Sequence, residues 1–299
     1  MQYQHLVQNT SSLEGNVAII FPNNEKIMSV AIEALKTTNV NIYLYDTTDL
    51  TELLRSFDID TQYLLRISTQ ILDNEIDLFQ TVASDLINGK IKVLMKGNID
   101  STKLISFLNQ YPSLVLNNKI LSHVACFNIP MYHKMLLLSD VAINNNPTVS
   151  DKIKIIDNLL TFTQNLGYSK IKVAMLSAVD GVDSQVTSSV DAQEVTQHFS
   201  KSVRPYLLID GPLAFDNAIS MESVIRKSIK SPVAGDTDVL IVPNIDVGNA
   251  LYKSFSYYGD ASVVSLVLGT NFPIVATSKA DSKSNMLDSL YFSLRLKKQ

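Results

Sequence analysis

Short apolar, β-branched runs alternate along the chain with longer stretches of helical period. The first kind fits buried strands and the second fits amphipathic helices. Val17-Ala18-Ile19-Ile20-Phe21 reads as a first strand, followed by Asn23-Asn24 and a helix over Glu25–Thr37. Ile42-Tyr43-Leu44-Tyr45 reads as a second strand, and Asp46-Thr47-Thr48-Asp49 supplies turn and capping residues for the next helix. Ile91-Lys92-Val93-Leu94-Met95 is a further strand, reached through a helix that ends near Asn88-Gly89. This rhythm predicts an α/β fold with a mainly parallel sheet flanked by helices.

Near Val115 the pattern changes. Ile120–Asn128 and Lys134–Leu138 read as strands separated only by Ile129–His133, with Pro130 at the break. So short a link suits an antiparallel pair and excludes a crossover helix. The alternation resumes with a helix over Asp151–Leu166 and strands at Ile171–Leu176, Leu207–Ile209, Val239–Val242, Val263–Leu268 and Ile274–Thr277, before a final helix from Ser284. The chain shows no internal repeat and no long Pro/Gly linker, which predicts two closely packed lobes.

Composition narrows the function classes. The 299 residues are 46% hydrophobic and 18% charged, a length at which single cores give way to two domains. A net charge of −4 gives no bulk attraction for nucleic acid or anionic membrane, so a phosphate site has to come from local geometry. The one cysteine, Cys126, excludes an internal disulfide and a cysteine zinc cluster, and its apolar neighbours read it as an inert core thiol. The four histidines show no metal-ligand spacing, so no metal is expected. Met1 to His5 lacks the start of a signal peptide, and no apolar run approaches the roughly 20 residues that span a bilayer. The expectation is a cytoplasmic protein.

In open α/β sheets ligands bind beyond the carboxyl ends of strands, which singles out five segments. Lys96-Gly97-Asn98 follows a strand, where the lysine could hold a phosphate or simply be solvated at a turn. Asp140 to Thr148, with Asn144, Asn145 and Asn146, reads equally as a hydrogen-bonding site or as a turn before a helix. Asp210-Gly211-Pro212 with Asp216 suits acid–base work, a cation, or a Gly-Pro turn with Asp216 as a helix cap. Gly235-Asp236 precedes the strand at Val239, and Asn244, Gly248 and Asn249 follow it, where an opening helix offers N–H groups to an anion. Thr277-Ser278-Lys279-Ala280-Asp281-Ser282 brings hydroxyls, a cation and a carboxylate together before the last helix, as a phosphate and carbonyl site or as a capped polar loop.

In this order and spacing the segments resemble the phosphate acetyl/butyryltransferase family, closest to its butyryltransferase branch. The match starts at Leu94-Met95-Lys96-Gly97-Asn98 and continues through Leu121–Pro130 and Ser139-Asp140 to Pro147. It then takes in Asp210–Ser220, Val233–Asp236, Pro243, Gly248-Asn249, Leu251-Tyr252-Lys253 and Thr277–Ser282. The resemblance implies a two-domain fold like that of isocitrate and isopropylmalate dehydrogenases, with an active-site cleft between domains and a homodimer. By that analogy residues 1–116 plus 268–299 form one domain and 117–267 the other. It implies transfer of a short-chain acyl group between coenzyme A and inorganic phosphate in a ternary complex, with coenzyme A a substrate and no permanently bound cofactor.

The resemblance further implies that Ser278 hydrogen-bonds the thioester carbonyl or thiolate and that Lys279 stabilises negative charge. Lys96, Gly97, Asn98, Asp140, Asn144, Asp210, Gly211, Pro212, Asp216, Gly235, Asp236, Asn244, Gly248, Asn249 and Asp281 are then the phosphate and coenzyme A contacts. The chain departs from the family pattern at Lys279, where relatives carry arginine, and at Asn285, where the acetyltransferase branch has an aspartate. It departs again at Asp180–Gln185, in place of an asparagine-proline-lysine segment, and at Lys201–Pro205. These departures motivate a second reading, a relative that binds coenzyme A or an acyl phosphate without turning it over. A third reading, a metal- and NAD-dependent dehydrogenase using Asp210, Asp216 and Asp236, lacks a nicotinamide motif.

Overall fold

A computed structural model describes residues 3–201 and 204–296. Ser202 and Val203, inside the divergent Lys201–Pro205 turn, therefore lie outside the described residues. The chain runs α1 (Gln4–Val7), β1 (Glu14–Ile20), α2 (Glu25–Thr37), β2 (Asn39–Asp46), α3 (Thr51–Arg55), α4 (Thr61–Leu64), β3 (Ile67–Ile71), α5 (Glu75–Ile87), β4 (Val93–Lys96) and α6 (Ser101–Gln110). It continues through β5 (Ser122–Asn128), β6 (Leu136–Ser139), α7 (Val149–Asn165), β7 (Ile171–Leu176), α8 (Thr187–Ser200), β8 (Leu207–Leu213), α9 (Phe215–Ile219), α10 (Met221–Lys227), β9 (Val239–Ile241) and α11 (Ile245–Tyr257). It closes with β10 (Ser262–Leu268), β11 (Ile274–Val275) and α12 (Lys283–Arg295).

Two compact units emerge. The first takes Gln4–Asn118 and the chain from Val264 onward; the second takes Lys119–Val263. In the first, strand order is β3-β2-β1-β4-β11-β10, parallel except for the β10–β11 pair. Helix α2 begins where Asn24 turns its side chain to accept the Ile27 N–H, and it buries Ile27, Ala31, Ala34 and Leu35 on one face. That spacing is the i, i+4, i+7, i+8 stripe of an amphipathic helix. The central strands β1 and β4 are buried at every position from Val17 to Ile20 and from Val93 to Lys96, as expected of parallel strands covered by helices.

The second unit has the order β5-β6-β9-β7-β8. β5 and β6 are antiparallel, and β6, β9, β7 and β8 are parallel. Thr148 caps α7 in a reciprocal box with Asp151. A core of Phe127, Leu138, Leu176, Leu240 and Tyr252 fills the space under α11. Cys126 is fully buried in β5, and burial pushes its thiol well above the ordinary range. No helix among the described residues is long and apolar enough to cross a membrane.

Candidate active site

The carboxyl ends of β1, β4 and β11 in the first unit build one polar cradle. Lys96, the last residue of β4, stands beside Ile20 at the end of β1. Beyond it the Gly97 and Asn98 N–H groups donate to the Ile20 and Phe21 carbonyls at 2.9 and 2.8 Å. A Cβ on Gly97 would lie 2.4 Å from both of those oxygens, so only glycine permits this closure. Asn98 then donates to the Asn23 side chain at 3.0 Å, tying the strand end to the start of α2.

The loop after β11 supplies the opposite wall. The Asp281 carboxylate accepts the Ser278 N–H at 2.7 Å, and the Asp281 N–H returns to the Ser278 carbonyl at 3.0 Å. Asp281 is 6% exposed and shapes this turn. Ser282 caps α12 by accepting the Asn285 N–H at 3.1 Å. Lys279 reaches Asp100 at 2.8 Å, and Lys26 from α2 donates to the Lys279 carbonyl at 3.1 Å.

Between these walls lies a cavity of about 100 Å³, bordered by Asn24, Lys26, Lys96, Asn98, Ser278 and Lys279. Lys96 is 4% exposed. Its ammonium has no hydrogen-bond or ion-pair partner among the described residues. Burial and the Lys279 ammonium both push its pKa down, against the pull of Asp100 and Asp281. The hydrogen bond from Lys279 and its charge hold the Asp100 carboxyl below its usual range. A buried cation without a directly paired anion is costly, and a small dianion in this cradle would relieve that cost.

In the second unit the carboxyl ends of β6, β7 and β9 face a larger space. Asp140, 2% exposed, accepts the N–H groups of His123, Ala142 and Ile143 at 3.0, 2.9 and 3.0 Å and the Asn144 amide at 2.6 Å. Asn144 also donates to the Leu121 carbonyl at 2.9 Å. These two residues hold the loop after β6 by hydrogen bonds within the protein. Asn244 caps α11 by accepting the Val247 N–H at 3.1 Å. Gly248 sits inside α11 rather than at its opening, and its N–H donates to the Asn244 carbonyl at 3.2 Å. A Cβ there would lie 2.6 Å from the Asp140 carbonyl, so Gly248 lets the helix pack on that loop. Asn249 is exposed on the same helix.

Other sequence candidates lie elsewhere. Asp210, Gly211 and Pro212 are not a turn after β8 but part of it, with a register slip against β7 between Ala174 and Leu176. β8 is the last strand of the unit's sheet, and an edge strand tolerates a proline that lacks the N–H. Asp216 lies in the first turn of α9 and pairs with Lys227 at 2.9 Å, while Asp180 of the divergent segment meets the same lysine at 3.2 Å. Gly235 and Asp236 precede β9 and so stand at the amino ends of the parallel strands, away from the ends where α/β folds bind ligands. There Asp236 meets Lys172, His133 and Lys134 at 2.6, 2.8 and 2.9 Å. Burial alone would raise its pKa, but the hydrogen bonds from these three groups outweigh it and hold the carboxyl well below the usual range.

The sequence reading missed Lys26 and Asp100 in the first cradle, and Lys152 in the second unit. Asp100 carried a signal, an acidic residue directly before the Ser101 helix. Lys152 carried another, because it falls on the Ile155, Ile156 and Leu159 face of α7 and is 2% exposed, paired with Asp191 at 2.6 Å.

Comparison with known proteins adds the family. Residues 15–292 match the family model described as "Phosphate acetyl/butaryl transferase". A probable phosphate butyryltransferase of Bacillus subtilis (strain 168) is 35% identical over 202 residues, 68% of each chain. This chain belongs to the phosphate acetyl/butyryltransferase family. Within it, a phosphate butyryltransferase of Clostridium beijerinckii is 30% identical over 277 residues, covering 92% of this chain and 90% of that protein. The crystal structure of a branched-chain phosphotransacylase from Enterococcus faecalis V583 superposes with a TM-score of 0.82 at 34% identity, over 94% of this chain and 98% of that one. A phosphotransacetylase from Staphylococcus aureus shares the fold at a TM-score of 0.74 and 18% identity. Relatives named for the transferase activity do not favour a member of the phosphate acetyl/butyryltransferase family that only binds its ligands.

Proposed function

We propose that the chain catalyses acyl-CoA + phosphate = acyl phosphate + CoA for a short-chain acyl group, with the phosphate held in the cradle of the first unit. The observation that carries this reading is Lys96: buried, without an ion pair or hydrogen bond among the described residues, on a cavity it shares with Ser278 and Lys279. Lys96 and Lys279 would neutralise the phosphate, which then needs no resident metal to offset its charge. A phosphate oxygen attacks the thioester carbonyl carbon, the C–S bond breaks, and the sulfur leaves as thiolate to be protonated as free CoA. Ser278 donates to the carbonyl oxygen or the departing sulfur, and positioning of the two substrates supplies the remainder of the rate. No covalent enzyme intermediate is required.

The same reading makes coenzyme A a substrate rather than a bound cofactor, and the protein a homodimer of the cytoplasm. The test of the site is the double variant Ser278→Ala/Lys279→Ala. Its arsenate- or phosphate-dependent loss of thioester absorbance should fall by at least roughly a hundredfold, as for loss of an oxyanion donor, while its thermal midpoint stays near wild type. A folded double variant with undiminished turnover would remove both residues from the chemistry.

A further inference from the structure

Lys26 lies in the first turn of α2, where the helix dipole disfavours a cation. A lysine so placed gains from a nearby acceptor, and its half-buried side chain finds one in the loop after β11. The ammonium donates to the Lys279 carbonyl at 3.1 Å. That carbonyl and the Ala280 N–H belong to one peptide unit, which is planar and turns as a whole. At its other end the Ala280 N–H donates to the Ser278 hydroxyl oxygen at 3.3 Å. The bonds between Asp281 and Ser278 close this turn on itself, whereas the Lys26 bond ties it to a separate helix. Lys279 also reaches Asp100, but both side chains are mostly exposed, and such a pair holds little.

A hydroxyl carries one proton and two lone pairs. With the Ala280 N–H on one lone pair, the Ser278 proton is left to donate elsewhere, and Ser278 borders the cavity. A cation on the Lys279 carbonyl polarises the peptide, which strengthens the N–H as a donor and, through it, the hydroxyl. We propose that Lys26 is a positioning residue for acyl transfer: through the Lys279–Ala280 peptide it orients and polarises the Ser278 hydroxyl. The inference rests on the acyl-transfer reading above and adds a residue to it. Lys26 also borders the cavity with Lys96 and Lys279, and no acidic residue among the described ones lines it, so its charge attracts phosphate directly as well. The two effects are separable, because direct attraction acts with or without the serine hydroxyl and the relay acts only through it.

The test is kcat for phosphate-dependent CoA release in Lys26→Met, alone and combined with Ser278→Ala. Alone, Lys26→Met should lower kcat roughly tenfold, the effect of about one hydrogen bond, and Lys26→Arg, which keeps a cationic donor, should recover most of that loss. In the Ser278→Ala background, Lys26→Met should change kcat by less than about twofold, because the two residues act as a coupled pair. Equal losses in both backgrounds would overturn the relay and leave Lys26 a general source of charge. A second readout needs no turnover. In protein carrying isotopically labelled alanine, the Ala280 amide-proton resonance, identified by its loss in Ala280→Gly, should move upfield in Lys26→Met and stay near wild type in Lys26→Arg. Thermal midpoints near wild type would show that these variants fold. A resonance unmoved in folded Lys26→Met would overturn the proposal while the transfer reading stood. Wild-type protein that releases no CoA, with an Ala280 resonance that still depends on Lys26, would sink the transfer reading and keep the relay.

Discussion

Replacing Lys96 with methionine separates a ligand-binding lysine from a structural one. The two side chains have similar length, and the substitution removes a charge that is 4% exposed and has no ion-pair partner among the described residues. A structural lysine would leave a buried acceptor behind, costing about 1–3 kcal/mol. Lys96 leaves none, so stability should hold or rise by about 1 kcal/mol, a thermal midpoint unchanged or up by roughly 2–4 °C. A charge-assisted hydrogen bond to phosphate is worth about 1.5–3 kcal/mol, so kcat/KM for phosphate should fall roughly 10- to 150-fold.

The pH dependence follows from the same environment. Because burial and Lys279 lower the Lys96 pKa, the folded state binds this proton less tightly than the unfolded chain. The penalty on stability is therefore full below the folded pKa and lifts as pH rises toward the unfolded value near 10.4. The charged form that holds phosphate is lost over the same alkaline rise, so phosphate affinity should decline at a pH below that of an ordinary lysine. Calorimetric unfolding and phosphate titrations of wild type and Lys96→Met check both arms. A variant with a clearly lower midpoint and unaltered phosphate kinetics would refute the reasoning.

Three further substitutions probe other parts of the account. Lys279→Arg gives a planar fork in place of a point charge that now reaches Asp100 at 2.8 Å; KM for phosphate should drop several-fold, with stability within about 0.5 kcal/mol of wild type. Asp140→Ala orphans the N–H groups of His123, Ala142 and Ile143, and denaturant unfolding should show a loss of at least about 3 kcal/mol. Asp236 has a depressed carboxyl pKa, so its contribution to stability is complete above the ordinary carboxylate pKa near 4 and is lost as pH falls toward the depressed value. Asp236→Asn should flatten that acid limb in thermal scans between about pH 5 and pH 2.

Much of the fold was legible because burial writes itself into periodicity. The α2 helix and the β7 strand fall on their expected residues, and β5 and β6 pair antiparallel as their short link required. Local signals failed where tertiary context overrides them. Gly-Pro at 211–212 reads as a turn, yet an edge strand with a register slip absorbs it. Gly248 reads as a helix start, yet it is an interior residue selected by close approach to the Asp140 loop. Gly235-Asp236 precedes β9 and so belongs to its amino end; chain order alone separates it from the carboxyl-end loops, which the polarity of the segment masks. Of the site, Lys96, Ser278 and Lys279 could be found from strand ends and resemblance, and the cavity brings them together. Lys26 could not, because its role depends on where α2 lies beside the last loop.

Phosphate-dependent CoA release, followed with a thiol reagent over acetyl-, propionyl-, butyryl- and isobutyryl-CoA, tests the central claim most directly. The account predicts release that requires phosphate and saturates with it for at least one of these thioesters. Folded protein that releases no CoA from any of the four at saturating phosphate would contradict it.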